Sequence, residues 1–311
     1  MDNLTFTTAT VTEPFRHKLL PYPILMDSYL NDVLWHEGYV VVDWFNPAEL
    51  AQLRTYVNNL KLKDFVLPKF HASCGDPDLD HRMRMGMTFH PFQSRNLERL
   101  FLGYEIFISA LISREPSPET ELDPNLPGIH HDRSLVDESK YRSIAIWAPL
   151  CDTNRKNGGF SVIPGSHKFG YEIRTTHLPN HYDHLRDELL EYLIEIPITA
   201  GKAILFDTAL LHHTGLNYSN ERRDAILSYA RPIGAQTYYY YEADITNRPD
   251  GYATVERWEV DDQFSFEHVY GIRPTQGKLL ETFPYKVHKW TLQEIGQFLA
   301  EQGNPLAKPV V

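Results

Sequence analysis

The chain has 311 residues, 42% of them hydrophobic, which is enough for a sizeable core in one or two units. Its 41 acidic and 30 basic residues give a formal charge of −11 without any long Lys/Arg run, which excludes nucleic acid and anionic membrane surfaces as partners on electrostatic grounds. Two cysteines, Cys74 and Cys151, cannot build a disulfide framework, the polar start Met1-Asp2-Asn3 lacks a signal-peptide pattern, and no apolar run approaches the roughly 18 residues that span a bilayer, so a cytoplasmic, reduced protein is expected.

In chain order, residues 1–30 read as irregular, with Pro14, Pro21 and Pro23 breaking any period. Gly38–Phe45 is rich in β-branched and aromatic residues and predicts a strand. Asn46 then caps a helix, with Pro47 at its first position and Glu49 three after the cap. Leu50, Leu53, Val57 and Leu60 lay one face of that helix on a core. Residues 80–91 alternate in character around Arg82, Arg84, Met85 and Met87 and predict a strand; 95–113 predict a helix followed by a strand. Ser143–Leu150 and Phe160–Ile163 predict core strands, the second ended by Pro164-Gly165.

A long excursion follows, about residues 171–198, with a short amphipathic helix over Asp183–Ile194. Excursions of that length in compact folds are often lids or binding loops. Lys202–Phe206 and Ala225–Tyr229 are further strands, and so many short strands between Gly/Pro turns indicate a mainly β sandwich or double-sheet roll with flanking helices. From about residue 235 a C-terminal extension begins with the run Tyr238–Tyr241, which suits packing more than chemistry. It ends in a helix with Thr291 and Glu294 as a capping box and Gly303 beyond it. With no repeat and no clear linker, residues 1–311 are expected to form a single domain.

Chemistry concentrates in two His-rich segments, Gly128-Ile129-His130-His131-Asp132 and Leu211-His212-His213-Thr214-Gly215. Residues i and i+2 of a strand point to one side, so His130 and Asp132 can grip one ion together; the spacing favours His130 over His131. A distant histidine, His212 or His213, would complete a set of two imidazoles and one carboxylate, which is the facial triad of mononuclear non-haem iron. Two further segments accompany these: Asn157-Gly158-Gly159 running to Pro164-Gly165-Ser166-His167, and Arg223, eleven residues past His212. His167, after its tight turn, reads as structural, and His177, His181 and His184 in the excursion read as mostly solvated.

In order and spacing, these segments resemble the phytanoyl-CoA dioxygenase family of iron- and 2-oxoglutarate-dependent oxygenases over roughly residues 35–232. The resemblance implies a double-stranded β-helix, or jelly roll. It implies Fe(II) held by His130, Asp132 and His212, the family's Thr-Gly-x-Asn pattern deciding for His212. It also implies 2-oxoglutarate as cosubstrate with O2, its distal carboxylate held by Arg223 and Thr214, with Trp147 near the same pocket. A planar guanidinium offers two parallel N–H bonds to a carboxylate, and Arg222, one residue off the strand period, would face solvent or an acidic neighbour. The implied activity is hydroxylation of an unactivated C–H bond of a small molecule or natural-product intermediate, with release of succinate and CO2. Related halogenases leave the carboxylate position to a small residue, so Asp132 argues for oxidation without halide. A CoA thioester would need groups for several phosphates, and neither a phosphate-cradling Gly-rich loop nor a dense basic stretch is present. Two other readings use the same ligands: a non-catalytic jelly roll with a structural metal, and a zinc hydrolase. Neither gives a carboxylate-binding Arg223 a role.

Overall fold

The computed structural model describes residues 23–62, 69–118, 128–169, 172–175, 178, 181–267 and 271–307. Helix α1 (Ser28–Glu37) opens the described chain, capped by Asp27, whose side chain accepts from Leu30 N–H. It leads through Gly38, at φ 85°, into strand β1 (Tyr39–Asp43). The capping box expected at Asn46 and Glu49 starts α2 (Pro47–Asn58) and is fully formed. After β2 (Phe70–Ala72) comes α3 (Leu79–Leu100), then β3 (Tyr104–Arg114) and β4 (Ile144–Pro149). β5 (Phe160–Val162), α4 (Arg186–Leu190), β6 (Ile194–Ile196), β7 (Lys202–Asp207), β8 (His212–Thr214) and β9 (Arg223–Pro232) follow. The extension supplies β10 (Thr237–Glu242), β11 (Tyr252–Val260), α5 (Asp262–Glu267), β12 (Lys278–Lys286) and α6 (Leu292–Glu301).

Two antiparallel sheets form the roll: a six-stranded one in the order β1-β7-β4-β9-β3-β2 and a three-stranded one in the order β6-β5-β8. β4 shows why the strands run apolar without alternation. Ile144, Ile146 and Ala148 pack outward with Leu34 of α1, Leu53 of α2 and Phe89 of α3, while Ala145 and Trp147 pack inward with Phe160 of β5. Both faces are buried, so both need apolar side chains. This is the double-stranded β-helix that the resemblance implies, with helices covering one face. No helix among the described residues is long and apolar enough to cross a membrane.

Three expectations need correction. Residues 80–91 are not a strand but the body of α3. Its buried set, Arg82, Met85, Gly86, Phe89, Gln93, Asn96 and Leu97, recurs at helical steps, and Asp78 caps it by accepting from Asp80 and His81 N–H. The apparent two-residue period mixed the buried Arg82 and Met85 with the exposed Arg84 and Met87. Second, Asp183–Ile194 is not one helix: a 3-10 turn at Asp183–Leu185 precedes the short α4, and Ile194 already belongs to β6. Third, of the excursion histidines in the described residues, His181 is buried at 2% exposure, whereas His184 is exposed as expected, with its ring Nε2 2.8 Å from the Trp290 carbonyl. His177 lies outside the described residues.

The extension folds back onto the roll. A third sheet, β10-β11-β12, packs Tyr240, Ala253 and Val255 against Leu178. α6, with its capping box at Thr291 and Glu294 in place, buries Ile295 and Leu299 beside Ile129 and Leu211, which directly precede His130 and His212. The Tyr238–Tyr241 run forms most of β10, with Tyr239 and Tyr240 buried on opposite faces.

His167 donates from Nε2 to the Trp35 carbonyl at 2.9 Å, and its Nδ1 is buried without a hydrogen-bond partner among the described residues. Burial above all, then Arg142, pushes its pKa down to about 3. The unfolded chain takes up this proton near pH 6.5, so between pH 6.5 and 3 the unfolded state binds more protons and native stability falls as the pH drops. His167→Gln should therefore flatten the acid limb, by up to about 1.4 kcal/mol per pH unit. Urea midpoints of variant and parent at pH 4.5 and 7.5 measure it; identical acid losses would contradict the assignment.

Candidate metal centre

His130 and His212 meet as an isolated antiparallel bridge: His130 N–H donates to the His212 carbonyl at 3.0 Å and His212 N–H to the His130 carbonyl at 2.8 Å. Their ring centroids lie 4.4 Å apart. Each ring is oriented by a carbonyl two residues earlier in its own chain segment. His130 Nδ1 lies 2.8 Å from Gly128 O, and His212 Nδ1 lies 2.9 Å from Leu210 O. A carbonyl only accepts, so each Nδ1 carries the proton and each Nε2 presents its lone pair.

Asp132 completes the set, with one ligand atom from each of His130, Asp132 and His212 all within 4.8 Å of one another. Asp132 Oδ1 is 3.9 Å from His212 Nε2, and Oδ2 is buried with no hydrogen-bond partner among the described residues. Burial, then the neighbouring His130, pushes the His212 pKa down to about 4, so the imidazole is a neutral donor near pH 7. Two imidazole lone pairs and an unsatisfied buried carboxylate oxygen fit a divalent ion bound on one face.

The neighbouring histidines stay outside this group. His131 lies at 6.1 Å and near-parallel to His181, with its edge toward Tyr182 at 5.3 Å. His213 sits one residue off, opposite Ser161 of β5. Gly158 explains the Asn-Gly-Gly turn beside it: its φ is 72°, and any Cβ there would run into the Gly215 carbonyl.

A second feature faces the same interior. Arg223 begins β9 with the same parity as Ala225 and Leu227, which pack inward with Trp147. Its exposure is 1%, and none of its three guanidinium nitrogens has a hydrogen-bond partner among the described residues. The guanidinium lies over the Trp147 ring at 5.3 Å. Trp147 contacts Phe160 at 5.4 Å, and Phe160 stacks on His212 at 5.1 Å and 6°, so a line of aromatic contacts runs from Arg223 to the triad. Thr214 is two residues after His212 on β8, directly opposite Phe160. Arg222 turns the other way and pairs with Asp224 at 2.8 Å.

Sequence reasoning missed Arg114. It ends β3 directly opposite Arg223 in the sheet register, so both side chains share one face. It is buried at 1% exposure with its guanidinium 4.6 Å over the Phe70 ring. Burial, then Arg114, pushes the Arg223 pKa down to about 10. The nearby Asp224 pushes the other way but does not offset this, and its carboxylate already accepts from Ser113 and Arg222. The available signal was a charge closing the largely apolar run Ile106–Ser113.

Two histidines and a carboxylate on a two-sheet β roll, with a buried arginine inside it, form a group that could hold a metal ion. The chain belongs to the phytanoyl-CoA dioxygenase (PhyH) family, whose profile matches residues 35–225. It is accordingly a 2-oxoglutarate-dependent non-haem iron oxygenase, and Fe(II), 2-oxoglutarate and O2 are the family's requirements. Among solved structures, the chain is similar to HygX from Streptomyces hygroscopicus with nickel, 2-oxoglutarate and hygromycin B bound, at 16% identity and a TM-score of 0.46, over 67% of this chain and 88% of that one. It is also similar to the carbocyclase SnoK of nogalamycin biosynthesis, at 16% identity and a TM-score of 0.48, over 70% and 89% of the two chains. The epimerase SnoN, in complex with Fe3+, α-ketoglutarate and nogalamycin RO, matches at 16% identity and a TM-score of 0.47, over 67% and 84%. No curated protein matches the chain.

The geometry separates the two adjacent histidines of β8. His212→Ala should abolish Fe(II) uptake in an anaerobic calorimetric titration, and His213→Ala should leave it within a few-fold of the parent. The opposite ranking would move the donor to His213.

Proposed function

We propose that this oxygenase hydroxylates an unactivated C–H bond of a small-molecule or natural-product intermediate, releasing succinate and CO2. In this reading His130, Asp132 and His212 hold the iron, Arg223 and Thr214 hold the distal carboxylate of 2-oxoglutarate, and Trp147 forms the wall behind that carboxylate. When bound, iron and 2-oxoglutarate together supply the oxidant from O2; the chain supplies ligands, orientation and shelter from water.

The observation that carries the reading is the buried, unpartnered guanidinium of Arg223. A cation in an apolar interior needs an anion, and a second cation, Arg114, on the same face raises that need. A carboxylate cosubstrate answers it with charge-assisted hydrogen bonds. A structural metal or a zinc hydrolase would leave Arg223 without a job. The formal charge of −11 disfavours a polyanionic substrate such as a CoA thioester. We take residues 1–311 as one domain, with the segment about 171–198 covering the site as a lid: its His181 already stacks on His131, next to two donors.

Two measurements test this. Arg223→Ala should raise the 2-oxoglutarate concentration for half-maximal turnover about 10- to 100-fold, the equivalent of one charge-assisted hydrogen bond, while Fe(II) affinity stays within a few-fold. An unchanged requirement would mean a different carboxylate anchor. A succinate-release screen over candidate small molecules, followed by product mass, tests the reaction: hydroxylation adds one oxygen atom. Products at unchanged mass or two hydrogens lighter would replace hydroxylation by epimerisation, desaturation or ring closure.

A further inference from the structure

Of the three donors, Asp132 has no side-chain hydrogen bond among the described residues to steer it. Each imidazole is tied through Nδ1, whereas the Asp132 Oδ2 has no partner among the described residues. Its backbone is tied instead. The Asp132 N–H donates to the Thr208 carbonyl at 2.9 Å, and the Asp132 carbonyl accepts from Arg174 Nε at 2.6 Å. Ligating carboxylates are ordinarily held by outer hydrogen bonds; here the hold acts one peptide unit back.

Arg174 comes from the segment between β5 and β6, far along the chain from Asp132, and is buried at 6% exposure. Its Nη1 donates to Glu138 Oε2 at 2.9 Å and to the Glu172 carbonyl at 2.9 Å, and its Nη2 donates to Glu138 Oε1. Its backbone is stitched to Ser134: Ser134 N–H donates to the Arg174 carbonyl at 3.1 Å, and Arg174 N–H to Ser134 Oγ at 3.2 Å. One guanidinium thus grips both the carbonyl of a donor residue and the buried acid six residues beyond it.

A buried Arg–Glu pair is a poor source of stability in itself, because apolar side chains of similar volume do as well or better. What it can do, and they cannot, is aim a donor at one chosen oxygen. Glu138 fills the Nη edge of the fork bidentately, which leaves Nε for the Asp132 carbonyl. Fixing that carbonyl fixes the peptide plane and with it the direction in which the Asp132 side chain leaves the backbone.

We infer that Arg174 is a positioning residue for the metal-binding carboxylate of Asp132, aimed by Glu138, so that docking of the β5–β6 segment and metal binding form one coupled equilibrium. The inference rests on the metal reading of the triad. Coupling is reciprocal: a docked segment tightens metal binding, and bound metal holds the segment down.

The deciding variant is Arg174→Lys in the full-length chain. It keeps a cation beside Glu138, but an ammonium cannot reproduce the fork that serves Glu138 and the Asp132 carbonyl together. Anaerobic Fe(II) titration should show binding about 10- to 100-fold weaker than the parent, the usual cost of losing an outer-shell partner. Leu53→Ala, in the buried core under α2, is the control: it should lower the melting temperature and leave Fe(II) affinity unchanged. Parent-like Fe(II) affinity in Arg174→Lys overturns the inference, as does an equal loss in Leu53→Ala. Should Arg174→Lys not fold, Glu138→Gln decides: a several-fold loss supports the role, and unchanged affinity overturns it. A parent chain that takes up no Fe(II) overturns the metal reading itself, and the inference with it.

Discussion

Two backbone hydrogen bonds between His130 and His212 are what the rest of the site depends on. They join the approach to β4 with β8, two segments that the chain alone would leave far apart. Once they form, the strand period does the remaining work. Asp132 falls on the same side as His130, and Thr214 on the same side as His212. The two-sheet roll carries β8 in one sheet and β9, with Arg223, in the other. The aromatic line Trp147, Phe160, His212 is core packing that connects the cation to the donors.

The interior is electrostatically incomplete as the chain stands. Among the described residues the buried Arg223 guanidinium and a buried oxygen of Asp132 have no hydrogen-bond partner. Each deficiency is of the sign that a bound group would cure: a carboxylate cosubstrate for Arg223, a divalent cation for the triad. Together they explain why a protein would tolerate the desolvation cost of both.

Much of this was legible in the sequence because it rests on short periods. The i, i+2 spacing in His130-His131-Asp132, the Asn46 and Thr291 capping boxes and the apolar runs of β4 and β7 all report local geometry. The long-range partners were illegible for a physical reason: nothing local marks which strand a residue will face. Arg114 became a neighbour of Arg223 only through sheet register, and Arg174 reached Asp132 only because its segment folds back. α3 misled because Arg82, Arg84, Met85 and Met87 mimic a two-residue alternation, while the helical stripe through Met85, Phe89 and Leu97 needs a longer window to see. The third sheet hid because β12 is largely exposed and carries no apolar run.

The central claim is that three side chains hold iron and leave room for a bidentate cosubstrate anchored on Arg223. Its most direct test is the visible spectrum of the full-length chain loaded with Fe(II) and 2-oxoglutarate without oxygen. The account predicts a weak charge-transfer band that appears only when both are present. A folded, fully iron-loaded protein that shows no band on saturation with 2-oxoglutarate would contradict it.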